Sequence, residues 1–193
     1  MEKKISPKFS LLFSETVRFT ENASRAGTIF SDFGIRYRLK KKWKITGNYR
    51  FSKFNNGDGF FSTGHRFYID LAYRQKTNTP LSFTFRGRYQ SQYTDMYTSN
   101  NGLLPQKRLR VKATVSYDLE KRYKPYISAE LFYELSDNTE YKNQFVTSRY
   151  AAGVVYELNK RNSLDIYYLL IRGMNVPNPN RFHALGLELN HLF

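Results

Sequence analysis

The sequence contains no cysteine. That excludes disulfides, thiolate metal sites and a Cys nucleophile, and it neither requires nor forbids an oxidising compartment. No uninterrupted apolar run approaches the about 18 residues of a membrane-spanning helix. The mean hydropathy, -0.62, is correspondingly low. Apolar residues at helical spacing are nearly absent too, so helices are not expected. Acid is scarce: 16 Asp and Glu stand against 31 Lys and Arg, for a formal charge of +15. The start, Met1-Glu2-Lys3-Lys4, is basic, but Lys8, Ser10 and Glu15 interrupt any apolar core of a leader. A signal peptide, if the protein is exported, is therefore expected to have been removed already.

What the chain does have is alternation at period two and many rings: 16 Tyr and 16 Phe in 193 residues. Ten alternating segments are expected as strands, approximately 9–20, 29–39, 43–53, 65–75, 81–93, 107–119, 125–135, 146–158, 163–173 and 181–193. Most come close to the roughly 9–11 residues with which a tilted strand crosses a bilayer. The breaks between them alternate long and short. Long loops on one rim and tight turns on the other are the mark of an up-and-down barrel, whereas a soluble sandwich has no reason to alternate so strictly. The expected fold is all-β: one domain over 1–193, an up-and-down antiparallel transmembrane β-barrel of about ten strands. An even count puts both termini on the short-turn side, which in outer-membrane barrels is the periplasm.

The two faces of the strands differ. In 65–75, Phe67, Ile69, Leu71 and Tyr73 alternate with Arg66, Tyr68, Asp70, Ala72 and Arg74. A soluble antiparallel sheet would share that alternation. Heights of the aromatic residues separate the two cases. Tyr37, Trp43, Tyr73, Tyr117, Tyr156 and Phe193 fall near the short-turn rim; Phe51, Phe67, Tyr89, Tyr133 and Tyr150 fall toward the long-loop rim, with Phe19 and Tyr93. Two such belts are expected where rings sit at both headgroup levels. Two positions resist assignment. Glu15 shares the apolar face of Phe13 and Val17, where a bulge would be needed to turn it inward. Residues 167–171 are apolar on both faces.

The other face is charged. Arg36, Arg38, Arg50, Arg66, Arg86, Arg88, Arg108, Arg110 and Lys112, with Lys44 and Arg74, form a basic wall; Glu130, Glu134, Glu157, Asp165 and Glu188, with Arg149 among them, form a mainly acidic one. In a narrow barrel these chains are expected to meet across the lumen as a network of ion pairs that fills it, since buried charge must be paired or wetted. The alternative is an anion-selective path or small-ligand site, because rings of Arg and Lys favour anions.

Catalysis finds no support. His65, His183 and His191 fall with the lipid-facing set, and Asp32 and Asp70 are inward carboxylates with no acidic partner two residues away. No catalytic residue, cofactor or metal site is expected, since neither a phosphate-binding glycine loop nor metal-ligand spacing occurs. The basic segments 40–44, 121–124 and 160–161 share the short-turn rim and would attract anionic headgroups. The remaining class, a soluble basic β-protein on single-stranded nucleic acid, would use Arg86–Gln90 and Lys107–Lys112. Acidic residues on the same face and the absence of a known motif weigh against it, so nucleic acid is not an expected partner.

The last segment, with Leu187, Leu189, His191 and a final Phe193, resembles the closing strand of bacterial outer-membrane barrels, an ending that the barrel-assembly machinery reads. Together with Tyr37-Arg38-Leu39 before a lysine turn, Gly47-Asn48-Tyr49-Arg50-Phe51 after it, His65-Arg66-Phe67, Arg86-Gly87-Arg88-Tyr89 and Gly186-Leu187-Glu188-Leu189, the chain resembles a domain-of-unknown-function family of small Gram-negative outer-membrane barrels. The resemblance implies fold and location and offers no reaction. The function expected is that of a non-enzymatic integral outer-membrane barrel, structural or an accessory subunit of a larger complex. Its expected partners are outer-membrane lipids, the assembly machinery and another barrel against which the apolar belt could dock.

Overall fold

The computed structural model describes residues 1–20, 24–55, 61–95, 104–119, 122–137 and 139–193. Parts of the expected loops 54–64, 94–106 and 136–145, and Lys121 in one basic turn, lie outside the described residues.

Eleven strands form one sheet in sequence order: β1 (Glu2–Lys4), β2 (Phe9–Thr20), β3 (Arg25–Arg38), β4 (Trp43–Asn55), β5 (Phe61–Lys76), β6 (Leu81–Thr94), β7 (Gln106–Tyr117), β8 (Tyr123–Glu134), β9 (Phe145–Glu157), β10 (Asn162–Gly173) and β11 (Arg181–His191). Every neighbour in that order is antiparallel. This is the up-and-down barrel that the alternation predicts, with one strand more. Each expected segment is present; β3 and β5 begin four residues earlier than expected, at Arg25 and Phe61. The added strand, β1, is three residues long and largely charged, too short to show a period.

That addition changes the closure. In a closed barrel of ten strands the last would pair directly with 9–20; here β1 takes that place. β1 pairs with the lower part of β2, Glu2 opposite Leu12 and Lys4 opposite Ser10. The chain end then meets β1 in parallel, through Glu2 and Leu192, with the Phe193 amide donating to the Glu2 carbonyl at 2.8 Å. An odd number of antiparallel strands makes the first and last run in the same direction, so a parallel contact is the only closure available. Above β1, no ladder among the described residues joins β2 to β11. Leu185, Leu187 and Leu189 on the outer face of β11 are accordingly 85%, 72% and 65% exposed. The barrel is nearly closed.

Both ambiguous stretches resolve. No bulge forms at Glu15; the register shift in this ladder falls between Arg18 and Phe19. Glu15 stays on the outer face, and its carboxylate accepts a 2.6 Å hydrogen bond from Ser31 of β3. In β10, Ile166 and Tyr168 point outward and are exposed, whereas Tyr167 points inward between two glycines. A Cβ on Gly186 would stand 2.2 Å from the Tyr167 ring, and one on Gly153 would stand 2.7 Å from its Cβ. Missing side chains on both neighbouring strands are what let the ring lie in the wall.

Candidate functional site in the barrel interior

The outer face carries the apolar residues. Ile35, Phe33, Ile69, Phe67, Phe85, Val111, Ile127 and Leu187 are among the large exposed side chains, and they come from strands all round the sheet. Rings pair across strands near the short-turn rim: Phe9 with Tyr37 and Trp43 with Tyr73, each at 4.8 Å, and Tyr123 with Tyr156 at 4.9 Å. Phe193 packs on His191 at 4.3 Å. Tyr117 stands opposite Leu81. Toward the other rim, Phe51 meets His65 at 5.4 Å, Phe67 meets Tyr49 at 5.1 Å and Tyr133 meets Phe145 at 5.1 Å, while Tyr89 and Tyr150 are also exposed. The band between is not purely aliphatic, since Phe13 and Phe33 pair at 5.0 Å midway along β2 and β3. The histidines are cross-strand partners of uncharged residues: His65 Nδ1 lies 2.8 Å from the Tyr49 hydroxyl, His183 meets Tyr168, and His191 lies 2.6 Å from Asn162.

The inner face is built from a recurring unit. An aromatic residue and a carboxylate stand two apart on one strand, and an arginine on an adjacent strand bonds the carboxylate while lying over the ring. Asp32 takes Arg50 Nε at 2.8 Å and its terminal nitrogen at 2.7 Å, and the guanidinium sits 3.8 Å from the Phe30 ring centroid. Asp70 takes Arg88 at 2.6 and 2.7 Å, and Arg88 lies 3.8 Å over Tyr68. Glu130 takes Arg110 at 2.8 Å, and Arg110 lies 4.2 Å over Phe132. Flat guanidinium groups suit this double duty, with in-plane bonds to a carboxylate and a face for the ring. Asp32 and Asp70, which sequence spacing leaves solitary, are thus two of the three anchors. Their partners lie one strand away, at register positions that no single strand displays.

The expected lumen network is brought together in part and in a different direction. Arg108 bonds Glu134 at 2.7 Å, Arg36 bonds Glu2 at 2.6 Å, and Lys124 bonds Glu157. Arg86 and Arg149 join Arg110 at Glu130, Arg149 at 3.7 Å. Arg66 donates to Gln92 at 2.9 Å, with no carboxylate among the described residues in ion-pair contact. Asp165 accepts from the Tyr126 hydroxyl at 3.1 Å and stands opposite Glu188 on β11. Among the described residues, Arg38, Lys112 and Glu188 make no ion pair, and no pair spans the lumen from β10 or β11 to the basic strands. Charge is paired along the wall, between strands one or two apart, because the ladder brings those side chains within reach while opposite walls stay further apart. Gln90, Arg110, Glu130, Phe132 and Glu134 are all buried, so the β6–β8 side of the interior is packed. Toward the short-turn rim a cavity of about 460 Å³ remains, bordered by Asp32, Arg36, Tyr68, Glu157 and, at the seam, by Glu2 and Leu192.

A family model described as "Protein of unknown function (DUF2490)" matches residues 1–182. The chain belongs to this family. No curated protein matches the DUF2490 chain. Among solved structures, it is similar to the KdgM porin in complex with disordered oligogalacturonate, with a TM-score of 0.53, 14% identity, and cover of 100% of this chain and 89% of that one. It is also similar to the NanC porin, with a TM-score of 0.49, 15% identity, and cover of 95% and 93%. The KdgM likeness is one of fold: DUF2490 here has a porin-like β-barrel.

Proposed function

We propose that this DUF2490 protein is an integral outer-membrane barrel, non-enzymatic, whose basic interior gives small anions a narrow path. The observation that carries the reading is the cation surplus on the inner wall. Arg66, Lys112 and Arg38 lack an ion-pair partner among the described residues, and Glu130 alone serves three arginines. Rings of such groups favour anions and repel cations. The membrane location is supported by the band of exposed Ile, Leu, Val and Phe round the outer face, a surface that water would disfavour and hydrocarbon would not. The short-turn rim would then face the periplasm and the longer loops the outside. Planar-bilayer recording tests the path: small conductance steps with a reversal potential displaced toward that of the anion are expected. A silent bilayer over properly refolded protein would remove it.

A second reading rests on the packed β6–β8 side and the bare outer face of β11. The barrel would conduct nothing and serve as a structural or accessory subunit, docking another outer-membrane barrel through Leu185, Leu187 and Leu189. Mild-detergent extraction from native membranes distinguishes the two, since this reading requires a stable larger complex.

A further inference from the structure

Glu130, on the inner face of β8, is 3% exposed. Arg110 reaches it at 2.8 Å from β7, Arg86 from β6, and Arg149 at 3.7 Å from β9. Lys112 stands directly opposite it in the β7–β8 ladder. Lys112 and Arg149 both lie within electrostatic reach of Arg86 and of each other. One buried carboxylate therefore stands among four cations; Asp165 is within electrostatic reach of Lys112, but no second carboxylate among the described residues is in ion-pair contact with any of the four. Arg110 is fully engaged, bonding Glu130, donating to Gln90 at 3.0 Å and stacking on Phe132. The surplus thus falls on Arg86, Lys112 and Arg149. The Arg86 and Arg149 side chains keep 22% and 25% of their surface open, on the face that looks into the lumen.

Charge of one sign gathered in a partly dry wall is costly until a counter-charge arrives. Arginine does not shed its proton to relieve that cost. We infer that Arg86, Lys112 and Arg149 form a binding site for a small oxyanion, the shared chemistry of phosphate and carboxylate groups. Two forked guanidinium groups and a point-charge ammonium suit that geometry, the forks supplying paired in-plane donors and the lysine a mobile third. The ligand comes from the aqueous lumen and not from a lipid headgroup, because all three side chains belong to the inner face. Glu130 is the positioning residue: it holds Arg86 and Arg149 beside Lys112 and sets how much positive charge is left over. This inference deepens the anion-path reading by naming where the anion halts.

The test is calorimetric titration of inorganic phosphate into the detergent-refolded barrel at constant ionic strength, with chloride as the reference anion and the β-sheet circular dichroism of each variant confirming its fold. Saturable phosphate binding is expected. Lys112→Gln and Arg149→Gln should each weaken it by about tenfold, the worth of one charge-assisted contact. Lys53→Gln, which removes a charge from the outer face, should leave it unchanged. Glu130→Gln keeps the shape and removes the one neutralising charge, so binding should tighten several-fold, an effect that a purely structural role for Glu130 does not produce. Absence of saturable binding in the wild-type barrel, or equal binding by the Lys112 and Arg149 variants, overturns the site. Bilayer recording stays independent: binding without conductance removes the path and keeps the site, and anion-selective conductance without binding does the reverse.

Discussion

Asp32 and Arg50 face each other across β3 and β4 and make a two-pronged ion pair, at 2.8 and 2.7 Å, with both side chains largely out of water. The Tyr68 hydroxyl, from β5, donates a third bond to the same carboxylate at 2.7 Å. One side chain thus ties three consecutive strands together on the inner face.

Removing that carboxylate should be costly out of proportion to its size. Asp32→Ala strands the Arg50 charge and the Tyr68 hydroxyl inside the wall, and loss of one partner of a buried pair costs about 3–5 kcal/mol. The Asp32→Ala/Arg50→Ala double variant leaves no orphaned charge and should recover part of the loss, although Arg50 also gives up its contact with Phe30. Urea-driven unfolding from lipid vesicles measures both. Equal stability of the single variant and the wild type would contradict the assignment of Asp32 as an anchor.

The same residue shows where sequence reading succeeds and where it stops. Period-two alternation identifies Asp32, Arg50 and Tyr68 as inward, because parity along one strand is a local property. It does not pair them, because pairing depends on register between strands, which a single strand does not carry. Hence Asp32 and Asp70 look solitary in the sequence, and the arginines look as if they must reach across the lumen. Tyr167 was illegible for a related reason, since its inward orientation depends on Gly153 and Gly186 on the two neighbouring strands. β1 left no signal because three residues hold less than two full periods.

The glycine gap around Tyr167 makes a sharp contrast possible. Gly186→Ala places a methyl group 2.2 Å from the present ring position, so the ring must move within a wall that has little room. Overpacking of this kind costs about 1–3 kcal/mol. Gly47 and Gly87 have nothing within 4 Å of an added Cβ. Alanine at either should be neutral or stabilising by up to about 1 kcal/mol, because glycine gives up more backbone freedom on folding. Thermal unfolding of the three alanine variants checks the order, and Tyr167→Leu in the Gly186→Ala background should restore most of the loss.

Glu15 tests the outer surface. Its carboxylate stays on the apolar face with one hydrogen bond, from Ser31. In hydrocarbon that arrangement is unfavourable, by up to about 2 kcal/mol at mid-depth and less near an interface. Glu15→Leu should therefore stabilise the barrel in lipid vesicles and speed insertion. If this face met water, the same change would leave stability unaltered and promote aggregation of the refolded chain. Refolding yield with and without lipid separates the two outcomes.

The seam can be mapped directly, because a chain without cysteine accepts engineered pairs with no background. Glu2 and Leu192 are bridge partners, so Glu2→Cys/Leu192→Cys should oxidise readily and shift mobility under non-reducing conditions. Val17 belongs to the part of β2 above β1, where no ladder to β11 exists among the described residues. Pairing Val17→Cys in turn with Leu185→Cys, Leu187→Cys and Leu189→Cys should give no rapid cross-link. A fast cross-link in any of these three would mean that β2 and β11 pair directly, with β1 displaced and ten strands closing antiparallel. Unpaired backbone edges are expensive in hydrocarbon, which gives the bilayer a reason to favour such a closure and the wall a reason to keep water at the seam. The same three pairs measured in detergent and in lipid vesicles therefore read which of these the protein adopts.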